Sequence, residues 1–178
     1  MISEFSVTPK PQNKRAWAFA SLFFSLAVLS MGVTFFIEKY RGVVGLLALS
    51  FLVTAILMYT KYISILFHYH VLTVGVEEPL FEIRQIIGKR EVIQCAVALA
   101  DIVSVKKESR AERRAHKCEQ GFLQYVYAPT LSPQFSYRLT VRSRYEKAEI
   151  IIEISDDFAE YLKSIINEAK EQRSLEED

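Results

Sequence analysis

Apolar positions along this chain follow three different rhythms. From Ala16 to Ile37 there are 22 residues without Asp, Glu, Lys or Arg, and from Gly42 to Thr60 another 19. A helix needs about 20 such residues to cross a hydrocarbon core of roughly 30 Å. The pattern predicts a transmembrane hairpin over 16–66, with spans at about 16–37 and 42–66 and the charged tip Glu38-Lys39-Tyr40-Arg41 between them. Neither run has a polar stripe, which excludes one long water-soluble helix. Small residues at Ala20, Ser21, Ser25 and Ala27, and at Gly42, Gly45 and Ala48, would let the helices approach closely.

From about Tyr69 the rhythm changes to period two. In "FSYRLTVRS" the residues Phe135, Tyr137, Leu139 and Val141 share one face, and Ser136, Arg138, Thr140 and Arg142 the other. Such alternation predicts a half-buried strand. "AEIIIEI" repeats it across the polar turn "RYEK", which predicts an antiparallel hairpin. "LFEIRQII" and "REVIQCAVAL" flank Gly88-Lys89, a second hairpin signal. "YHVLTV", "DIVSVKK" and "GFLQYVY" are three shorter strand candidates, for about seven strands in all. Closely spaced strands of this number predict a sandwich or partly open barrel.

The third rhythm is helical. Ser155-Asp156-Asp157 is a capping cluster, and Phe158, Leu162, Ile165, Ile166 and Ala169 then form one apolar stripe. The closing "EQRSLEED" predicts a frayed acidic tail. The expected organisation is an N-terminal tail (1–15), the hairpin (16–66), a β-domain capped by a helix (67–172) and the tail (173–178).

Composition alters this picture in a few places. The 178 residues carry a net charge of +1, but after Thr60 there are 17 Lys/Arg against 19 Asp/Glu. A near-neutral domain lacks the basic field that nucleic acid requires. Lys10, Lys14 and Arg15 precede the first span, and Lys61, Arg84, Lys89 and Arg90 follow the second, against Lys39 and Arg41 at the tip. That bias predicts both termini in the cytoplasm. Trp17, Tyr40, Tyr59 and Tyr62 fall near span ends, where interfacial aromatics belong. The first run is too long for the core of a secretory signal, and a second span follows at once. Cys95 and Cys118 are too few for a disulfide framework and fit a reducing compartment.

"LFEIRQIIGKREVIQCAVALADI" and "YRLTVRSRYEKAEIIIEISDDFAEYLKSIIN", placed after two apolar spans, resemble bacterial membrane proteins that carry a pleckstrin-homology-like (bPH) domain behind a pair of transmembrane helices. The resemblance implies a membrane-anchored α+β chain. Its hairpin would be followed by a seven-stranded antiparallel PH-like sandwich or barrel, two nearly orthogonal sheets closed at one corner by the C-terminal helix. It also implies a binding or scaffolding module rather than an enzyme. One departure bears on the ligand. Phosphoinositide-binding members carry a basic cluster between their first two strands, whereas here that loop reads "GVEEP", with Glu77 and Glu78. Like charges argue against an inositol lipid at this position.

The most basic stretch, "KKESRAERRAHKC", is expected as a loop or short exposed helix. Its Lys106, Lys107, Arg110, Arg113, Arg114 and Lys117 are the candidate contacts for anionic headgroups of the inner leaflet. The intervening Glu108 and Glu112 dilute that field, which is the argument for a merely solvated connection. His68-x-His70 would place two imidazoles on one strand face, and His116-x-Cys118 has the same spacing. Neither has the usual C-x2-C or H-x3-H spacing, so no metal or other cofactor is expected. Hydrolase, Walker and zincin motifs are absent from the sequence. Cys95 reads as a small buried apolar side chain, and Asp101 as a bend residue bonding nearby backbone N–H groups. Neither uncharged run, 16–37 or 42–60, contains Asp, Glu, Lys, Arg or His, which argues against an ion or proton pathway.

The expected function is non-catalytic: a multi-pass inner-membrane protein whose hairpin meets lipid and whose cytoplasmic domain binds a protein partner or anionic headgroups. The alternative is a structural accessory subunit of a larger membrane complex.

Overall fold

The computed structural model describes residues 5–9, 13–73, 78–118, 120–143 and 147–176. The chain divides into a helical unit, Gln12–Ile65, and a β-rich unit comprising Met1–Pro11 and Leu66–Asp178.

In the helical unit α1 (Lys14–Val33) and α2 (Arg41–Tyr62) are joined through a 3-10 turn, Glu38–Tyr40. Both helices are long and apolar enough to cross a membrane. The seam between them is lined by alanines, with Ala16, Ala20, Ala27, Ala48 and Ala55 all buried. Phe23 meets Phe51 and Trp17 meets Tyr59, each pair with ring centroids 6.2 Å apart. Of the other small residues expected at the seam, Ser21, Ser25 and Gly42 are exposed and Gly45 is half-buried. Several hydroxyls are satisfied within their own helices: Ser21 donates to Trp17 O at 2.9 Å and Thr54 to Ser50 O at 2.8 Å. A membrane core would require this, since no water is available to them there. The second helix stops at Tyr62, short of the expected 66, because β-branched and aromatic residues from Ile65 onward pair as a strand. The Asn13 side-chain amide donates to the Tyr62 carbonyl, tying the base of the hairpin.

The β-rich unit contains eight strands among the described residues, in two four-stranded sheets. The first sheet has the order β1 (Phe5–Val7), β2 (Ile65–Leu72), β3 (Leu80–Ile87), β4 (Arg90–Ala98). The second runs β5 (Ile102–Ser109), β7 (Phe135–Arg142), β8 (Lys147–Ile152), β6 (Leu123–Val126). All seven expected strands are present. The eighth, β1, was expected to be tail, yet Phe5, Ser6 and Val7 pair antiparallel with Val71, His70 and Tyr69. The expectation of an all-antiparallel set is corrected as well: β6 runs parallel to β8, Leu123 beside Ala148 and Val126 beside Ile151.

The hairpins read from the sequence are both found. Ile87 faces Arg90 across Gly88-Lys89, and Gly88 takes φ +62°, which a side chain at that position would resist. Arg142 faces Lys147, while turn residues 144–146 lie outside the described residues. The core collects Tyr69, Phe81 and Ile83 from the first sheet and Leu139, Ile150 and Ile152 from the second, all at most 2% exposed. Tyr69 also links the sheets. Its hydroxyl donates to Tyr127 O at 2.8 Å and accepts from Glu153 N at 3.3 Å, and burial pushes its ionisation upward.

Helix α4 (Asp156–Glu176) is capped by Ser155, whose Oγ accepts from Phe158 N at 3.3 Å. The whole expected stripe is buried, with Ala159 added to it. The helix also runs on through the region expected to fray. Arg173 donates to Asp101 Oδ1 at 2.8 Å, so Asp101, in the 3-10 turn Leu99–Asp101, holds the helix end rather than capping its own bend.

Candidate functional site

The six candidate cations are carried by a strand, a short helix and the segment after it. Lys106 and Lys107 belong to β5, and Arg110, Arg113 and Arg114 to a six-residue helix, α3 (Arg110–Ala115), with Lys117 just beyond it. Helix α3 starts with a capping box: Glu112 N donates to Ser109 Oγ, and Ser109 N donates to Glu112 Oε2 at 2.7 Å. These bonds hold the Glu112 carboxyl below its usual range. Lys107 turns away from its neighbour to Asp156, at 2.6 and 2.7 Å, and lies 5.0 Å over the Phe135 ring. Hydrogen bonds from Lys107 and Tyr137 keep Asp156 well ionised. Arg113 donates to Ser136 Oγ at 2.9 Å and to Pro133 O at 3.3 Å. Lys106, Arg114 and Lys117 remain exposed, and Arg110 is half-buried.

Beneath α3 lies a buried ion network that sequence reading missed. Arg138, 4% exposed, donates from Nε and Nη2 to Glu108 at 2.7 and 2.8 Å, and from Nη1 to Glu149. His116 Nε2 sits 3.0 Å from Glu149 Oε1. Burial favours the neutral Glu149 carboxyl, but His116 and Arg138 outweigh it and hold the group below the usual carboxylate range. Burial likewise works against the Arg138 charge, and its two glutamates more than offset that. Opposite charges on two strands of a recognisable hairpin were the available signal. A short helix was one of the two forms expected here, but its covering role was not legible, because α3 has no apolar stripe.

A second feature is a cleft of about 370 Å³ between the sheets. Cys95, Val97 and Asp101 line one side, and Tyr125, Val141 and Ala148 the other. It opens between β4 and β6, the outermost strands of their sheets at this corner. Val92, Ile93, Leu123 and Val126 are exposed on those two strands.

The two pairs noted in the sequence, His68-x-His70 and His116-x-Cys118, have different partners. His116 goes to Glu149, and Cys118 Sγ lies 3.4 Å from Phe122 O. His68 and His70 do share a face of β2, with ring centroids 4.0 Å apart, and they meet Glu91 of β4. Burial, with His68 and Arg84 close by, shifts His70 toward the neutral form. In the "GVEEP" loop, Glu77 lies outside the described residues and Glu78 is exposed, 3.9 Å from Arg173.

No family model matches the chain, and no curated protein matches it.

Proposed function

We propose that this chain is a non-catalytic, membrane-anchored binding and scaffolding protein of the bacterial inner membrane. Its β-rich unit acts as a cytoplasmic PH-like domain that holds an extended segment of a protein partner. The observation that carries this reading is the cleft between β4 and β6, with its apolar floor and two outermost strands. An outermost strand offers unpaired backbone groups, and a partner strand that adds to it gains main-chain hydrogen bonds while its side chains enter the adjoining pocket.

The pairing of β1 with β2 supports a hairpin anchor. The segments before α1 and after α2 share one sheet, so the chain must cross any bilayer an even number of times between them. The basic flanks favour the cytoplasmic side for that sheet. The eight-stranded arrangement with its parallel β6–β8 pair departs from the seven-stranded antiparallel plan, while two sheets followed by a packed C-terminal helix agree with it.

Binding to anionic headgroups is the second reading, favoured by the exposure of Lys106, Arg114 and Lys117. It is weakened because Lys107 and Arg113 are engaged inside the domain. The accessory-subunit reading draws on an apolar groove of about 500 Å³ in the helical unit, lined by residues such as Phe24, Met31, Gly45 and Leu52.

Photo-crosslinking in intact membranes tests the proposal. A crosslinker at position 93 or 125 should give a discrete protein adduct, and one at Lys163 on the exposed face of α4 should not. Adducts of equal yield at all three positions, or lipid adducts only, would overturn it.

A further inference from the structure

The outer face of the first sheet brings together three donor atoms of the kind that hold a metal ion. His68 and His70 are two residues apart on β2, so both imidazoles leave the sheet opposite buried Phe67, Tyr69 and Val71. Glu91 reaches the same place from β4, across the intervening β3. His68 Nδ1 lies 3.1 Å from His70 Nε2 and 3.2 Å from Glu91 Oε1. His70 Nε2 lies 3.9 Å from that same carboxylate oxygen.

Protons alone serve this arrangement poorly. If His68 Nδ1 carries a proton, the single N–H is shared between a carboxylate and a second imidazole. If it does not, it accepts from His70 and points its lone pair at a carboxylate oxygen. A cation at the centre takes lone pairs from all three groups. Zinc bonds of about 2.0–2.1 Å at tetrahedral angles separate the donor atoms by roughly 3.3–3.4 Å. The three observed separations bracket that value.

The geometry points to a site for a zinc-type divalent cation formed by His68 Nδ1, His70 Nε2 and Glu91 Oε1. Two imidazoles and one carboxylate are a donor set that zinc accepts with its fourth position open. The His68 and Glu91 side chains are 23% and 41% exposed, which leaves that position reachable from solvent. Arg84 of β3 does not displace the cation, because Glu82 holds its guanidinium at 2.8 and 2.9 Å. Its Nη1 lies 3.8 Å from Glu91 Oε2, the oxygen that the site does not use, and so orients the ligand carboxylate. Two carboxylates facing one guanidinium leave the cluster net negative with neutral imidazoles. A bound ion would clamp the end of the β3–β4 hairpin to β2.

The test uses the full chain, without a histidine tag, in detergent and stripped with a chelator. Titration calorimetry with zinc chloride should show one ion per chain. Cobalt(II) should give the intense visible bands of a tetrahedral site, lost on adding zinc. His68→Gln and Glu91→Gln should each weaken zinc binding at least about tenfold, whereas His116→Gln, at the third histidine of the chain, should not. Melting curves of the metal-free variants matching the metal-free wild type would show that the loss is not misfolding. Absence of saturable zinc binding by the wild type would overturn the site, as would wild-type affinity in both the His68 and Glu91 variants.

Discussion

Replacing Arg138 by Met tests whether the polar face of the second sheet is a buried ion network. In the structure Glu108 and Glu149 are each 3% exposed, and Arg138 supplies the hydrogen bonds that justify their burial. Methionine fills most of the side-chain volume but leaves the two buried carboxylates without the guanidinium that bridges them, with His116 on Glu149 and Arg113 near Glu108 as the cationic side chains still beside them. Removing one partner of a buried ion pair costs about 3–5 kcal/mol. That corresponds to roughly two to three and a half orders of magnitude in the opening equilibrium. Hydrogen exchange read by mass spectrometry on peptides from β7 and β8 measures it within the full-length protein, apart from the helical unit. The deficit should narrow as pH falls, because a buried carboxyl without a counter-ion is better tolerated protonated. Replacing Glu108, Arg138 and Glu149 together by Leu, Met and Leu should recover most of the lost protection, since apolar side chains can substitute for a buried triad. If Arg138→Met alone left β7 and β8 protected within about threefold of wild type, the network would not be desolvated as argued.

The remaining expectations concern other parts of the chain. Phe158→Asp or Leu162→Asp, each placing a carboxylate at a position at most 1% exposed, should cost several kcal/mol and abolish cooperative melting of the β-rich unit; an unchanged melt would mean that α4 is not packed. Deleting residues 5–9 should uncover the edge of β2 and produce concentration-dependent association in light scattering; a monodisperse deletion would deny β1 its place in the sheet. Glu149 and Asp156 both titrate below their ordinary values in the fold, so their contribution is complete above about pH 4.5 and is lost as pH falls through the depressed values; domain stability that did not decline on acidification below about pH 4 would contradict both assignments. A cysteine at position 40, with Cys95 and Cys118 replaced, should react with an impermeant thiol reagent from outside intact cells; labelling only after permeabilisation would invert the proposed orientation.

The elements that were legible are those whose pattern follows from one buried face. The α4 stripe and the alternation of β7 had only one solution, because an apolar face must be covered, and Leu162 and Leu139 are fully buried as that requires. Both hairpin turns were legible from local chemistry. β1 was not, since three paired residues make no periodic signal and its partner lies beyond two helices in the sequence. The parallel placement of β6 was equally hidden. A short strand read in isolation carries no information about the direction of its neighbour.

The candidate sites were hidden for a related reason. Period-two alternation says which residues leave a strand on the same side, but not what then covers them. Ser136 and Arg138 read as a solvated face, yet they are 1% and 4% exposed. Arg113 and His116 reach over them from α3 and its end, through hydrogen bonds rather than apolar packing. Of the six basic residues considered for a headgroup site, two are therefore engaged within the domain, and the segment serves the fold as much as the surface. The His68–His70 pair was visible, but Glu91 was not, because the meeting depends on strand order. With β3 between them, β2 and β4 stand about 10 Å apart, a gap that only long side chains on one face can close. An imidazole and a glutamate do so here, and the same order leaves the opposite edge of β4 uncovered beside the cleft. The proposed zinc site and partner groove would then lie on one hairpin, so a metal that clamps its end to β2 would also hold the strand on which the partner is proposed to add.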